Sequence, residues 1–307
     1  MAAPSPDRFS AWLAQVLPAG AVRAPQVRAL TPVGGGCIHA AWSLELADGD
    51  VLFAKTNRAS TLPMLQAEAE GLRALADVAT GLTIPAPLAV GLLEGQAVLV
   101  LPWLELAGRG TAGAWQQLGA GLARLHRASR PLNGGRGFGF RVDNFIGCGP
   151  QPNGWLSDWG QFFVERRLAP QLERLQRRGM GLTDSEALLQ RVPGWLNGHG
   201  AEPVLVHGDL WSGNAGLLSG GGAALFDPAV HWADREVDLA MARLFGGFPA
   251  AFFEGYGQEW PLAVGSDQRV DLYNLYHLLN HANLFDAGPG GSYGRRAQSS
   301  IHALLRR

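Results

Sequence analysis

At 307 residues, with 47% apolar and 17% charged side chains, the chain can build one large domain or two lobes around a sizeable core, and is too apolar to stay disordered. A formal net charge of −1 supplies no basic field, which sets aside nucleic acid and anionic membrane as partners. No leader-like segment opens the chain and no apolar run reaches the roughly 18 residues of a membrane span, so a cytoplasmic protein is expected.

A glycine run, Gly34-Gly35-Gly36, precedes an alternation of period two through Ile38, Ala40, Trp42, Leu44 and Leu46. Asp48-Gly49 is a hairpin turn signal, and residues 51–55 (VLFAK) read as the partner strand. Thr61 and Pro63 suit a helix start, and Leu65, Glu68, Leu72 and Leu75 continue with helical spacing until IPAP at 84–87. Residues 88–93 and 98–101 form a second hairpin around Glu94-Gly95, so residues 1–101 are expected to be β-rich with one inserted helix.

Beyond Pro102 the pattern turns helical. Trp115, Leu118, Leu122 and Leu125 give one helix face, and 155–178 and 183–196 repeat the character. Residues 204–227 read as a pair of short strands around a polar loop, and 236–306 return to helices broken at 246–247 and 288–291. The expectation is an α+β chain of two lobes: an N-terminal lobe over 1–101 and a mainly helical C-terminal lobe over 102–307, with a connector near 98–106.

The chemistry is concentrated in VLVHGDLWSGN, residues 204–214. A buried strand ending in His207, Gly208 and Asp209, with Asn214 five residues beyond Asp209, places polar groups where the scaffold fixes them. Asp227 closes the next strand. Asp209, Asn214 and Asp227 are all hard oxygen donors, the kind Mg²⁺ accepts alongside water and phosphate. The chain also holds 24 Arg but one Lys, Lys55. Glycine run, Lys on the following strand, a helix with Glu, an apolar connector, H-x-D-x-x-x-x-N and a final Asp form the ordered set that phosphoryl transfer from ATP requires in a protein-kinase-like fold. Cys37 and Cys148 are too few for a disulfide scaffold, and the eight His show no metal-binding spacing. Cys37 falls inside the glycine loop, where backbone amides can lower a thiol pKa.

Several strings resemble the fructosamine kinase family, a branch of the protein-kinase-like and aminoglycoside-phosphotransferase-like enzymes. They are GGGCI (34–38), FGF-x-x-DNFIG (138–147), the Trp155 and Trp159 segment through residue 168, HGDLWSGN (207–214), DPA (227–229), DREVDLAMARLFGGF (234–248) and LYHLLNH (275–281). The resemblance covers roughly residues 28–286, and Trp211 in HGDLWSGN is its most specific mark. It implies that Lys55 contacts the ATP phosphates and pairs with Glu68, with Glu70 the rival partner. It further implies Asp209 as catalytic base, Asn214 and Asp227 as Mg²⁺ ligands, and Gly34, Gly35 and Gly36 over the phosphates. The connector, with Val100 and Trp103, is expected against the nucleotide. Trp211, Asp143 and Trp159 are expected beside the substrate, and His207 and Asp238 as braces of the catalytic loop.

The implied reaction is ATP- and Mg²⁺-dependent phosphorylation of the 3-hydroxyl of a ketosamine, a fructosamine or ribulosamine adduct that is either a small molecule or a glycated protein lysine. The unstable product makes this a deglycation repair. Rival readings are another hydroxyl acceptor, such as an aminoglycoside or choline-like molecule, and a nucleotide-binding pseudokinase. Two departures from the family pattern stand out. Pro102, which lacks an N–H, sits in the connector, and the tail at 284–294 is longer than usual.

Overall fold

The computed structural model describes residues 4–18, 20–23, 25–34, 38–78 and 81–307. Five strands, β1 (Val27–Val33), β2 (Ala40–Leu46), β3 (Val51–Arg58), β4 (Ala89–Leu93) and β5 (Gln96–Pro102), form one sheet in the order β1-β2-β3-β5-β4. Every pairing is antiparallel, and the register places Lys55 opposite Ala41 on one side and Leu99 on the other. Two helices cover the two faces. Alternation along β3 sends Leu52 and Ala54 into the core shared with α1 (Pro6–Val16), and Phe53 toward α2 (Leu62–Ala76). Lys55, in phase with Phe53, therefore faces α2.

Both hairpins and α2 lie where the periodicity places them, while α1 and β1 go beyond the sequence reading. The signal for α1 exists. Ser5 caps it, accepting the Arg8 N–H, Pro6 occupies its first turn, and Phe9, Trp12 and Leu13 are buried. β1 was obscured by Pro32, which is tolerated because β1 is the sheet edge.

The rest of the chain is mainly helical: α3 (Ala112–Ser129), α4 (Trp159–Phe162), α5 (Ala169–Arg177), α6 (Ser185–Asn197), α7 (Glu236–Leu244), α8 (Ala250–Glu259), α9 (Ser266–Phe285) and α10 (Ser292–Leu305). A π-helical stretch, Phe163–Leu168, joins α4 to α5. A short hairpin, β6 (Asn144–Ile146) with β7 (Gly149–Gln151), interrupts the helices. The polar loop sits between short strands as expected, and each of these pairs with a further short strand. β8 (Val204–Val206) pairs with β11 (His231–Ala233), and β9 (Ala215–Leu217) pairs with β10 (Ala223–Leu225). The loop and the bend at Asp227 form the two crossovers between these ladders. The largest core, including Phe162, Phe163, Val206, Tyr273 and Leu279, lies beneath them and fixes their position. Among the described residues no helix is long and apolar enough to cross a membrane.

Candidate active site

The central observation is one buried ammonium between two carboxylates. Lys55 Nζ lies 2.8 Å from Glu68 Oε1 on α2 and 2.8 Å from Asp227 Oδ1, two residues beyond β10. Lys55 and Glu68 are both 8% exposed, so α2 and the sheet share a charged contact inside otherwise apolar packing. Burial alone would lower the Lys55 pKa, but the two carboxylates outweigh it and hold the ammonium above the ordinary lysine range. Asp227 is governed by the same pair. Its surroundings favour the neutral acid, and the Lys55 charge and hydrogen bond bring it below the ordinary carboxylate value. Glu70, the rival partner for Lys55, points elsewhere and pairs with Arg141 and Arg73.

The polar loop meets this cluster from the other lobe. Asn214 Nδ2 lies 2.9 Å from the Asp209 carbonyl, 3.2 Å from Asp209 Oδ2 and 3.2 Å from the Asp227 carbonyl. With its nitrogen engaged three ways, Asn214 has its Oδ1 left to ligate. Asp209 is half-buried, and its pKa is pushed up to about 8, first by desolvation and then by the neighbouring Asp227 charge, against the Asn214 hydrogen bond.

The loop itself is braced as the sequence suggests. Asp238, fully buried on α7, accepts the His207 and Gly208 backbone N–H groups at 2.8 Å each, and also contacts His126 at 3.2 Å. His207 accepts the Asp209 N–H on Nδ1 and reaches the Phe226 carbonyl through Nε2, which makes it a neutral bracket. Burial lowers its pKa in keeping with that role. Gly208 has φ +82°, and a Cβ there would stand 2.1 Å from the Ala229 carbonyl oxygen, so only glycine fits.

Other expected residues are distributed unevenly. Trp211 is 39% exposed beside Asp209, whose carbonyl accepts its N–H at 3.1 Å. Asp143 is exposed, with Oδ1 fixed by the Asn153 N–H at 2.7 Å. Trp103 is half-buried beyond Pro102, with its ring 6.4 Å from Phe53. Gly34 is exposed just after β1, whereas Gly35, Gly36 and Cys37 lie outside the described residues.

Two expectations are corrected. Trp159 is 3% exposed, packs among Phe138, Phe162 and Phe163, and donates its indole N–H to the Tyr273 hydroxyl at 3.0 Å. It is a core aromatic and has no face to offer a sugar. Val100 is fully buried in the α1-side core, on the sheet face opposite Lys55, and its carbonyl accepts the Leu88 N–H. Neither its side chain nor its carbonyl is available to a nucleotide.

Sequence reasoning also missed residues near the centre. Phe53, two positions before Lys55 on the same strand face, faces Trp103; period two alone would have found it. His39 follows the glycine run, bonds to Asn57, and is held at about 4 by burial and then by the Lys55 charge. A cavity of about 580 Å³ touches Pro102 and Trp103 but shares none of Lys55, Asp209, Asn214 or Asp227, so it is separate from the charged centre.

Comparison with known proteins agrees with this geometry. The family model for fructosamine kinase matches residues 11–307. The probable ketoamine kinase of Synechocystis sp. is 45% identical over 275 residues, covering 89% of each chain. The chloroplastic protein-ribulosamine 3-kinase of Arabidopsis thaliana is 36% identical over 311 residues, covering 100% of this chain and 90% of the relative. A crystal structure of a fructosamine-3-kinase candidate from Thermobifida fusca superposes with a TM-score of 0.81 at 30% identity, over 97% of this chain and 98% of the other. An aminoglycoside phosphotransferase shares the fold at a TM-score of 0.64 and 18% identity, over 92% of this chain and 95% of the other. With the Lys55–Glu68–Asp227 contact, the braced Asp209 loop and a family match over almost its whole length, the chain belongs to the fructosamine kinase family.

Proposed function

We propose that this protein transfers the γ-phosphoryl group of ATP to the 3-hydroxyl of ketosamines, fructosamine or ribulosamine adducts, and thereby starts their removal from amines and protein lysines. It is an ATP-dependent phosphotransferase with an alcohol acceptor. The observation that carries this reading is Lys55, held 2.8 Å from both Glu68 and Asp227 at the seam between sheet and polar loop. A reaction that passes through a loose phosphoryl transition state needs positioning and charge, and this cluster supplies both.

The roles follow from the placements. We place the lobe boundary at 101/102, with the nucleotide bound between the lobes, Gly34 and its neighbours over the phosphates, and Trp103 at the base edge. Glu68 orients the Lys55 ammonium toward the phosphates. The donor set fits a hard cation: the Asn214 Oδ1 is uncommitted by its own amide nitrogen, and the Asp227 side chain is 52% exposed. Asn214 and Asp227 would hold Mg²⁺ there, and the ion would supply positive charge against the negative charge developing on the transferred group. Asp209, with its affinity for a proton raised, takes the proton of the attacking hydroxyl. Trp211 offers the sugar a flat apolar face, and Asp143 offers a polar group beside it. A cytoplasmic location goes with this reading.

The direct test is ADP release against a panel of ribulosamine, fructosamine and aminoglycoside acceptors. Turnover on the ketosamines alone is expected. Turnover on aminoglycosides with none on ketosamines would replace the acceptor assignment.

A further inference from the structure

We infer that Gln151 and Asn144, which do not line the charged centre, are positioning residues that hold the Asp227 carboxylate where a metal can be ligated. The proposal rests on the reading of Asp227 as a metal ligand. Asp227 has φ +57°, a left-handed conformation that costs an aspartate free energy and persists where its surroundings over-determine it. Asp227 lies in the gap between β10, which ends at Leu225, and β11, which begins at His231, so the ladders hold only the ends of that gap.

The gap is held by side chains of the β6–β7 hairpin. Asn144 Nδ2 donates to the Val230 carbonyl at 2.8 Å, and Gln151 Nε2 donates to the Ala229 carbonyl at 3.1 Å. The two amides are cross-strand partners and are joined to each other, Gln151 Nε2 donating to Asn144 Oδ1 at 2.8 Å. Behind them, Tyr276 donates to Gln151 Oε1 at 2.7 Å, Asn153 donates to Asn144 Oδ1 at 2.8 Å, and Arg167 donates to Asn153 Oδ1 at 2.7 Å. All five side chains belong to residues no more than 5% exposed. Burying this many polar groups is costly unless they are satisfied, and here the three amides and the Tyr276 hydroxyl satisfy one another while gripping two consecutive carbonyls, with Arg167 Nε left without a partner among the described residues. From the opposite side, Gly71 of α2 lets the helix close on Val230 and Pro228, with a Cβ there reaching 3.1 Å from Val230. The Ala229 N–H completes the hold by donating to the His207 carbonyl at 2.9 Å. Three elements thus fix the two residues after Pro228, and the aspartate ahead of them inherits its direction.

The grip predicts a metal phenotype at a distance. In Gln151→Met, which keeps volume and loses the donors, the Mg²⁺ concentration needed for half-maximal ATP binding should rise about tenfold, the lower end of what supporting groups around metal ligands are worth. Calorimetric titration of the whole protein with ATP at stepped Mg²⁺ reads this, and ATP binding without Mg²⁺ should stay as in the wild type. Tyr276→Phe, which removes one hydroxyl, should shift the requirement the same way by less, and decides the matter should Gln151→Met fail to fold. Asn133→Ala removes a buried amide that braces only its own turn at Gly137, and should leave the Mg²⁺ requirement in place. A wild-type requirement in folded Gln151→Met, or an equal shift in Asn133→Ala, overturns the proposal. Asp227→Ala is run alongside: if it leaves the Mg²⁺ dependence intact, it is the metal-ligand reading that fails first.

Discussion

Replacing Lys55 by Arg keeps the charge and changes only its shape. The Lys55 side chain is 11% exposed, and its Nζ touches two carboxylate oxygens at 2.8 Å each. At an effective dielectric of about 20, either contact corresponds to roughly 6 kcal/mol of attraction before desolvation is subtracted. Arg retains that attraction in kind, so the ion-pair cluster survives. The guanidinium, however, is planar and wider than an ammonium, and it must fit a buried position between Glu68 and Asp227 that now holds a single nitrogen 2.8 Å from each. Overfilling a packed site costs about 1–3 kcal/mol. If the strain appears where the phosphates must be met, a loss of about 1.4 kcal/mol of transition-state stabilisation is the minimum, a tenfold fall in kcat/KM. The assay is initial ADP formation at varied ATP and saturating ketosamine, on protein whose melting temperature matches the wild type. Near-normal kcat/KM in folded Lys55→Arg would refute the reasoning, and the lone lysine would then be an accident of composition.

Asp209→Asn should bind ATP normally and lose about 10²–10⁴-fold in kcat, as removal of a general base does; isothermal titration beside steady-state rates checks both halves. Trp211→Ala should raise KM for the ketosamine about tenfold, or ~1.4 kcal/mol, with KM for ATP unchanged, if its exposed ring is the proposed sugar contact. Equal effects on both KM values would move Trp211 out of the sugar site. Acid stability is expected to report on His277, which is 4% exposed with Nδ1 unpaired, and is held at about 3 by burial and then by neighbouring His281. The native state refuses a proton that the unfolded chain accepts near 6.5, so His277 leaves stability intact above that pH and lowers it as pH falls from 6.5 toward 3. Denaturant midpoints measured from pH 6 to 4.5 should therefore fall less steeply in His277→Gln, by about 1.4 kcal/mol per pH unit. Parallel curves would show that His277 does not drive the loss.

The parts that sequence revealed are those set by local rules. Period two along residues 38–46 and 51–55, helical spacing from Leu65 to Leu75, and the tight H-x-D-x-x-x-x-N string each fix a local shape, and the structure carries them at the seam. What escaped depends on contacts between distant segments. Nothing near residue 204 announces that β8 pairs with β11 across the 24 intervening residues 207–230, or that Gln151 supports the chain beyond Asp227. Trp159 and Trp211 look alike in sequence, both aromatic beside marked motifs. Only the packing of Phe162 and Tyr273 around Trp159 tells the core residue from the surface one. Val100 was misplaced for a simpler reason: in a buried strand every residue is apolar, so composition does not say which face it takes.

Everything above turns on one proposed event, the movement of a phosphoryl group from ATP to the 3-hydroxyl of a ketosamine at the site built on Lys55, Asp209 and Asp227. Phosphorus NMR of the reaction with ribulosamine and fructosamine tests it most directly. The expected spectrum shows ADP together with one new sugar phosphate coupled to the proton on carbon 3, decaying as the sugar leaves its amine, and no such signal with Asp209→Asn. Phosphate appearing at another carbon, or an undiminished product with Asp209→Asn, would contradict it.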